Sequence, residues 1–557
     1  MRKETSMIRK IKGFTGIAIM AACLMMTATG CSLSSTTSEG TTNVAEQATF
    51  DPNLEKATSM EYVVPEKKTD IYTEETQQKA AAEIEEKLAS KLYTVEAPLV
   101  YYNPFGTNTH SANIYFSTEE AVSASYTVSV EDETINDFTR KLATGEESGV
   151  TTNHAYQLIG LIPNVENTIT ITLYDKDGNQ TKESTFTIQV PDVQSDADKK
   201  LALTDEKTEE LTDGLFCVVY GRIDNLTLNI SLYDNDGILR GELPVESYRT
   251  DRILTIDGYL YYNVSETKIV KVDRLGQVVK IYDIGEYEFH HDMVYEESQN
   301  SLVILASDTR EETVEDIIIS LNLESGEVKE LLDLKDLLPD AYEKAVKPDK
   351  KSKLDWAHVN ALQVIDGSDV ILSFRELSSI VSVKDIFTNP ELEYILSEKS
   401  VWEGTPYEEY VYDKVGDFTP QAGQHCITYV EGEADGEYYI YMFNNNFTYS
   451  GTRKDIDWSG YTLSQVDVEE RESFYYRYKI NENDKTFELV NSFAVPYSAY
   501  VSSVQPVDEH YVVCSGSQRL FGEYDSEGKL IRQYQSQLEQ YIYRTFKYTF
   551  DGIWFSK

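Results

Sequence analysis

Seven histidines occur in the 557 residues, and three of them recur at one point of a repeating unit. They stand in His290-His291-Asp292-Met293-Val294, His358-Val359-Asn360-Ala361-Leu362 and His425-Cys426-Ile427-Thr428-Tyr429, at intervals of 68 and 67 residues. Each run precedes a hairpin, so the register holds across three units. One strand histidine is usually structural, whereas three in register point to a shared site. On this spacing His290, rather than its neighbour His291, is the equivalent of His358 and His425, with His291 on the adjacent face as the alternative functional member of the pair. The alternation of side chains along a strand then puts Asp292 and Asn360 on the faces of their histidines. Arg375 ends the apolar run 370–374, which returns from the Asp366-Gly367 turn, and antiparallel pairing brings it level with 358–360. A guanidinium fork beside imidazoles suits a tetrahedral oxyanion such as sulfate or phosphate. Three imidazoles could also hold zinc with an open position, which makes a His-ligated metal enzyme an alternative, although Arg375 would repel the ion.

Repeated antiparallel strands are what would bring such distant residues together. From about residue 209 onward, hairpin turns follow one another at Asp236-Gly237, Asp257-Gly258, Leu275-Gly276, Ser325-Gly326, Asp366-Gly367 and Asp435-Gly436. Roughly 350 residues of this pattern, without sustained helical periodicity, fit a β-propeller over 206–557. Equivalent positions in successive blades lie on a circle about the central axis, so the three imidazoles converge. Upstream, period-two runs such as Ala124-x-Tyr126-x-Val128-x-Val130 and Ile169-x-Ile171-x-Leu173 predict a small immunoglobulin-like β-sandwich over 95–192. The 70–94 stretch, with Ala81, Ile84, Leu88 and Leu92 at helical spacing, predicts one amphipathic helix packed on a neighbouring domain. The fold class is all-β, and 40 tyrosines agree with strands and aromatic-lined clefts.

A formal charge of −45 argues against nucleic acid and against anionic membrane surfaces as partners. An anionic small substrate is compatible only where local cations override that field. The N-terminus reads as a secretory leader over 1–31, with a basic start and an apolar stretch too short to span a membrane comfortably. It ends at Ala28-Thr29-Gly30-Cys31, which resembles a bacterial lipobox and predicts lipidation of Cys31, with 32–69 as a flexible tether. Localisation would then be extracytoplasmic, with the membrane touched only through the lipid. Cys217, Cys426 and Cys514 are spaced too widely for a disulfide framework or a Cys-x-x-Cys metal signature. Cys426 reads as a small buried residue pointing away from the channel. His110, His154 and His510 fall outside the register and read as packing or surface residues. Asp355 serves either as a strand-edge cap or as a partner for an imidazole.

The segment Asp355-Trp356-Ala357-His358-Val359-Asn360-Ala361-Leu362, continued by Val370-Ile371-Leu372-Ser373-Phe374-Arg375 and Ser378-Ser379, resembles the signature of bacterial aryl-sulfate sulfotransferases. His290-His291-Asp292, Gln424-His425, Asn103-Pro104-Phe105-Gly106-Thr107 and Arg544-Thr545-Phe546 extend the similarity over nearly all of the mature chain. Two side positions depart from the pattern: Ala361 stands where Ser is common, and Cys426 follows the third histidine. The resemblance implies six blades and sulfuryl transfer from small-molecule aryl sulfates to phenols, with no nucleotide donor, cofactor or metal. His425 would be the transiently sulfated nucleophile. His358 and Arg375 would grip the sulfuryl oxygens, and His290 would handle the phenolic proton. His291, Asn360 and Trp356 would line the substrate site, and a homodimer is suggested by family analogy alone. The contrasting possibility is a non-catalytic, ligand-binding surface propeller. Phenol-dependent release from a chromogenic aryl sulfate separates that reading from an enzyme, and stoichiometric zinc with chelator-sensitive activity would identify the metal alternative.

Overall fold

The computed structural model describes residues 60–63, 67–193, 195–203, 207–221 and 229–557. The expected leader, Cys31 and most of the tether lie outside the described residues.

Six sheets of four or five strands, antiparallel except where Asp413–Val415 pairs in parallel with Thr486–Val495, form the six blades of a propeller. Four inner strands are Tyr287–Glu296, Val359–Ile365, His425–Glu431 and Ser503–Val507, and the first three carry or directly follow the histidines singled out in the sequence. Each of these neighbours the next around the axis. The ring closes twice. The C-terminal strand Ile542–Tyr548 pairs with Leu215–Tyr220 and becomes the inner strand of the first blade, with Thr545 opposite Val218. Ala202–Leu203 adds an outer strand to the last blade. Pairing the two ends of the chain in this way protects blade edges that would otherwise be open.

Two of the predicted turns, at Asp236-Gly237 and Leu275-Gly276, share one local cause with a third at Gly528, whereas Asp257-Gly258 and Asp366-Gly367 turn with positive φ at both residues. Asp234, Asp273 and Asp525 each accept, through Oδ1, the backbone N–H groups two and four residues on, all at 2.9 Å. The fourth residue of each turn is Gly237, Gly276 or Gly528, with φ between 73° and 83°. An Asx turn followed by a left-handed glycine reverses the chain compactly, which is why Asp-x-x-Gly recurs. Asp175 makes the same turn in the sandwich with Gly178.

In the N-terminal domain the long strand Ser111–Ser129 serves two sheets. Its first half pairs with Leu99–Tyr102 and Thr151–Ile159, and its second half with Phe138–Lys141 and Glu166–Tyr174. Sandwich and propeller share one apolar core, in which Tyr102, Ile114 and Leu158 join Leu232, Leu260, Val278 and Trp554. The sequence boundary near 192–206 therefore separates two topologies but not two cores. Helix Glu74–Ser90, capped by Thr73, buries Gln77, Ala80 and Ile84, while Leu88 is 39% exposed. The buried stripe is thus shifted from the one expected. Gln77 fixes it by donating to the carbonyls of Ile71 and Phe105 and accepting the Val278 N–H. Cys217, Cys426 and Cys514 are buried free thiols.

Candidate active site

Backbone irregularities at the starts of the inner strands aim the side chains. In Tyr287–Glu296 the ladder jumps from Phe289 opposite Ala306 to Met293 opposite Ile304, so three residues oppose one. Smaller bulges interrupt Val359–Ile365 between Val359 and Leu362, and His425–Glu431 between His425 and Thr428. His291, His358 and Cys426 carry positive φ values of 60°, 48° and 56°. Left-handed backbone is uncommon for such residues and clusters at functional sites.

One cavity of about 490 Å³ results, on which His291, His358, Arg375 and His425 converge. Arg375 stands where pairing predicted, its N–H donating to the His358 carbonyl at 3.2 Å. Of the His290-His291 pair, His291 lines the cavity and His290 does not. The sequence register failed here because the wide bulge and the left-handed turn at His291 break the equivalence of position along the strand. Asn360 and Trp356, expected to touch substrate, are also displaced into the interior. Asn360 donates to the Gln424 carbonyl at 2.8 Å. Trp356 donates to Asp316 at 3.0 Å and packs edge-on to Phe374 and Tyr342. Both are fully buried supports. Cys426 faces away, its thiol against the Val504 carbonyl. His110, His154 and His510 lie elsewhere: His110 is buried, His154 bonds Tyr156, and His510 bonds Glu523.

The imidazoles differ in charge and tautomer. Nδ1 of His425 faces two acceptors, Asn445 Oδ1 at 2.8 Å and the Gly423 carbonyl at 3.1 Å, so it carries the proton. Asn445 is itself oriented, because its amide donates to the carbonyls of Ser498 and Val501. Burial, and then the charge of Arg375, hold the His425 imidazole well below its ordinary titration range, with the Asn445 bond working the other way. The ring is neutral, and its Nε2 keeps a lone pair. Asn445→Ala should lower kcat about 10²-fold through misorientation of that ring, with donor KM little changed. Steady-state kinetics read this split, and parallel losses in both constants would contradict the positioning role.

His358 is the opposite case. Its Nδ1 lies 2.6 Å from Asp355 and 2.8 Å from Glu315. Burial alone would lower its pKa, but the two carboxylates raise it to about 10. It is therefore an imidazolium, with Nε2–H as a further donor. Asp355 is thus the partner of an imidazole, one of the two roles left open by the sequence. Burial works against ionisation of Glu315, but His358 and His291 hold its carboxyl well below the usual range.

His291 completes the set. Burial pushes it down to about 3 although Glu315 pulls the other way. Its Nε2 donates to Glu315 at 3.1 Å, and Nδ1 accepts from Tyr543 and from Arg249 at 3.3 Å. Arg249 lies 3.8 Å above the Tyr543 ring centroid, a cation–π contact. Five tyrosines, 248, 449, 500, 541 and 543, line the cavity. Beneath the histidines, Asp292 binds Arg252 and Arg544, and Arg544 reaches the Asn360 carbonyl.

Glu315, Tyr543, Arg249 and Asn445 were not found from sequence. Tyr543 adjoins the Arg544-Thr545-Phe546 segment and Asn445 lies in a run of three asparagines, but neither signal names a role. Among the described residues two clusters have ligand atoms close enough for a metal ion: His290, His291 and Glu315, and Glu315, Asp355 and His358. They share Glu315, and a protonated His358 donates to the carboxylates instead of offering a lone pair. The Glu315, Asp355 and His358 set therefore fits an ion poorly.

Comparison with known proteins places these features in context. The family model described as Arylsulfotransferase (ASST) matches residues 201–550, and that described as Arylsulfotransferase Ig-like domain matches 99–191. No curated protein matches. Similar solved structures include a protein of unknown function from Bacteroides caccae, at 10% identity and TM-score 0.34, covering 60% of this chain and 99% of that one. An auxiliary nutrient binding protein from Bacteroides thetaiotaomicron matches at 10% identity and TM-score 0.31, over 77% of this chain and 94% of its own. The WD40 domain of Toxoplasma gondii coronin matches at 10% identity and TM-score 0.30, over 62% and 79%.

Proposed function

The chain belongs to the arylsulfotransferase family, and on that premise we propose that it carries a sulfuryl group from an aryl sulfate to a phenol through a covalent sulfohistidine at His425, without a nucleotide sulfate donor. The observation that carries this reading is the contrast within one cavity. A neutral His425, with its proton fixed on Nδ1, shares the space with a cationic His358 and with Arg375.

In the first half-reaction the Nε2 lone pair of His425 attacks sulfur, an N–S bond forms, and the S–O bond to the aryl group breaks with its electron pair leaving on the phenolate. The ring gains positive charge, which the acceptors Asn445 and Gly423 stabilise at Nδ1–H. The transition state is loose, with charge on the peripheral oxygens, so the donors of His358 and Arg375 supply the main catalytic effect. In the second half-reaction a phenol oxygen attacks sulfur and the electron pair of the N–S bond returns to Nε2. The phenolic proton passes to the Tyr543 oxygen as the Tyr543 hydroxyl proton moves to Nδ1 of His291, with Glu315 stabilising the imidazolium. A bound sulfuryl anion raises the proton affinity of that imidazole. The tyrosine walls admit an aromatic acceptor and exclude water from the N–S bond.

Incubation with a chromogenic aryl sulfate, with and without added phenol, tests the reading. Phenol-dependent release with parallel-line initial-rate patterns is expected, and no release with or without phenol would favour a ligand-binding propeller. The pH profile adds a second check. His425 must be neutral and His358 protonated, so kcat/KM for the donor should stay level from near neutrality upward and fall as pH rises through about 10. Asp355→Asn removes one carboxylate from His358 and should move that alkaline limb to lower pH. An unmoved limb would contradict the assignment. Attachment outside the cytoplasm through a lipid on Cys31 is proposed from the leader sequence.

A further inference from the structure

Against a chain charge of −45, residues 344–354 hold five lysines and one aspartate. Lys350 and Lys351 line the active-site cavity. Lys344, Lys347 and Lys454 line an adjoining cavity of about 720 Å³. The two cavities share the wall made by Pro348, Gly451 and Thr452. Asp349 and Asp455 also line the adjoining cavity, and Asp455 is paired with Arg453 and feels the charge of Lys344, but Lys350 and Lys351 face the active-site cavity with no carboxylate within salt-bridge distance among the described residues.

The lysine segment is tied to the catalytic residues. Glu376 holds Arg375 through Oε1 at 2.8 Å, and its Oε2 accepts from Ser450, the Gly451 N–H, and both the N–H and hydroxyl of Thr452. The Thr452 carbonyl in turn accepts the Val346 N–H at 2.9 Å. At the other end Leu354 exchanges backbone bonds with Glu312 and Val314. The cations are therefore held beside the sulfuryl site by a hydrogen-bonded frame. A local group of cations in a strongly negative molecule focuses the field on that cleft.

We propose that Lys350 and Lys351, extended by Lys344, Lys347 and Lys454, form a subsite for a second negative charge on the aryl part of the donor. The preferred donors are then aromatic sulfates that also carry a carboxylate or a second sulfate ester. The inference rests on the sulfotransfer reading, since a donor must first be turned over.

Three donors test it with one phenolic acceptor: 4-carbamoylphenyl sulfate, 4-carboxyphenyl sulfate and 1,4-phenylene disulfate. In Lys350→Gln/Lys351→Gln, kcat/KM should fall about tenfold for the two anionic donors and less than about twofold for the carbamoyl compound. Lys350→Arg/Lys351→Arg should keep the preference, and added salt should depress the wild-type rate more steeply for the anionic donors. A loss confined to one anionic donor identifies carboxylate or sulfate as the group recognised. Equal losses on all three donors, or equal salt slopes, would overturn the subsite while leaving the transfer reaction standing. No turnover of any donor by the wild type would overturn both.

Discussion

His425→Asn loses sulfuryl transfer by about 10⁴-fold or more, with no covalent intermediate formed. Asparagine keeps some of the polarity of the site but has no nitrogen lone pair comparable to imidazole Nε2, so the loss falls on bond formation to sulfur. Substrate binding should persist, because His358, Arg375 and the tyrosine walls are untouched. The contrasting outcome is normal turnover, which would remove His425 from the chemistry. Removing Asn445 costs less than removing His425, since it disturbs the tautomer and aim of a nucleophile that is still present.

Arg375→Ala follows with a loss of about 10³-fold in kcat/KM for the donor, the scale expected when a positioned guanidinium is taken from a loose, oxygen-charged transition state. Arg375→Lys should recover part of this and no more, because a point charge does not reproduce the fork that meets two oxygens. The fold should tolerate both changes. Glu376, the partner of Arg375, keeps four other hydrogen bonds to Ser450, Gly451 and Thr452 and so is not left as a bare buried carboxylate. Donor kcat/KM for the two variants against wild type measures the effect. A lysine variant indistinguishable from wild type would show that the fork is not used.

How much of this was legible in the sequence depended on which features are periodic. Blades and turns were, since Asp-x-x-Gly hairpins and alternating strands follow directly from local backbone chemistry. Arg375 was also readable, because pairing back from the Asp366-Gly367 turn puts it level with 358–360 and the bulge between Val359 and Leu362 shifts that register by one residue. The choice between His290 and His291 was not. A bulge that opposes three residues to one shifts the facing of every side chain within it, and nothing in the local sequence measures its width. Asn360 was misplaced for the same reason, since it lies inside the bulge between Val359 and Leu362, and Trp356 because it precedes the strand, in a bend to which no alternation of faces applies. Glu315 was invisible because it comes from a loop between strands and meets His291 and His358 only in three dimensions. The charge states of the three imidazoles likewise depend on such contacts. Two carboxylates beside His358 and none beside His425 make one ring a cation and the other a nucleophile.

Trapping the intermediate addresses the central claim most directly. The protein is mixed with an aryl sulfate in the absence of acceptor, quenched, and examined by mass spectrometry of the whole chain and of its peptides. The predicted result is a burst of one phenolate per chain and an acid-labile gain of one sulfuryl group on the peptide containing His425, discharged when phenol is added. A burst without any adduct, or an adduct on another residue that phenol discharges equally fast, would contradict the account.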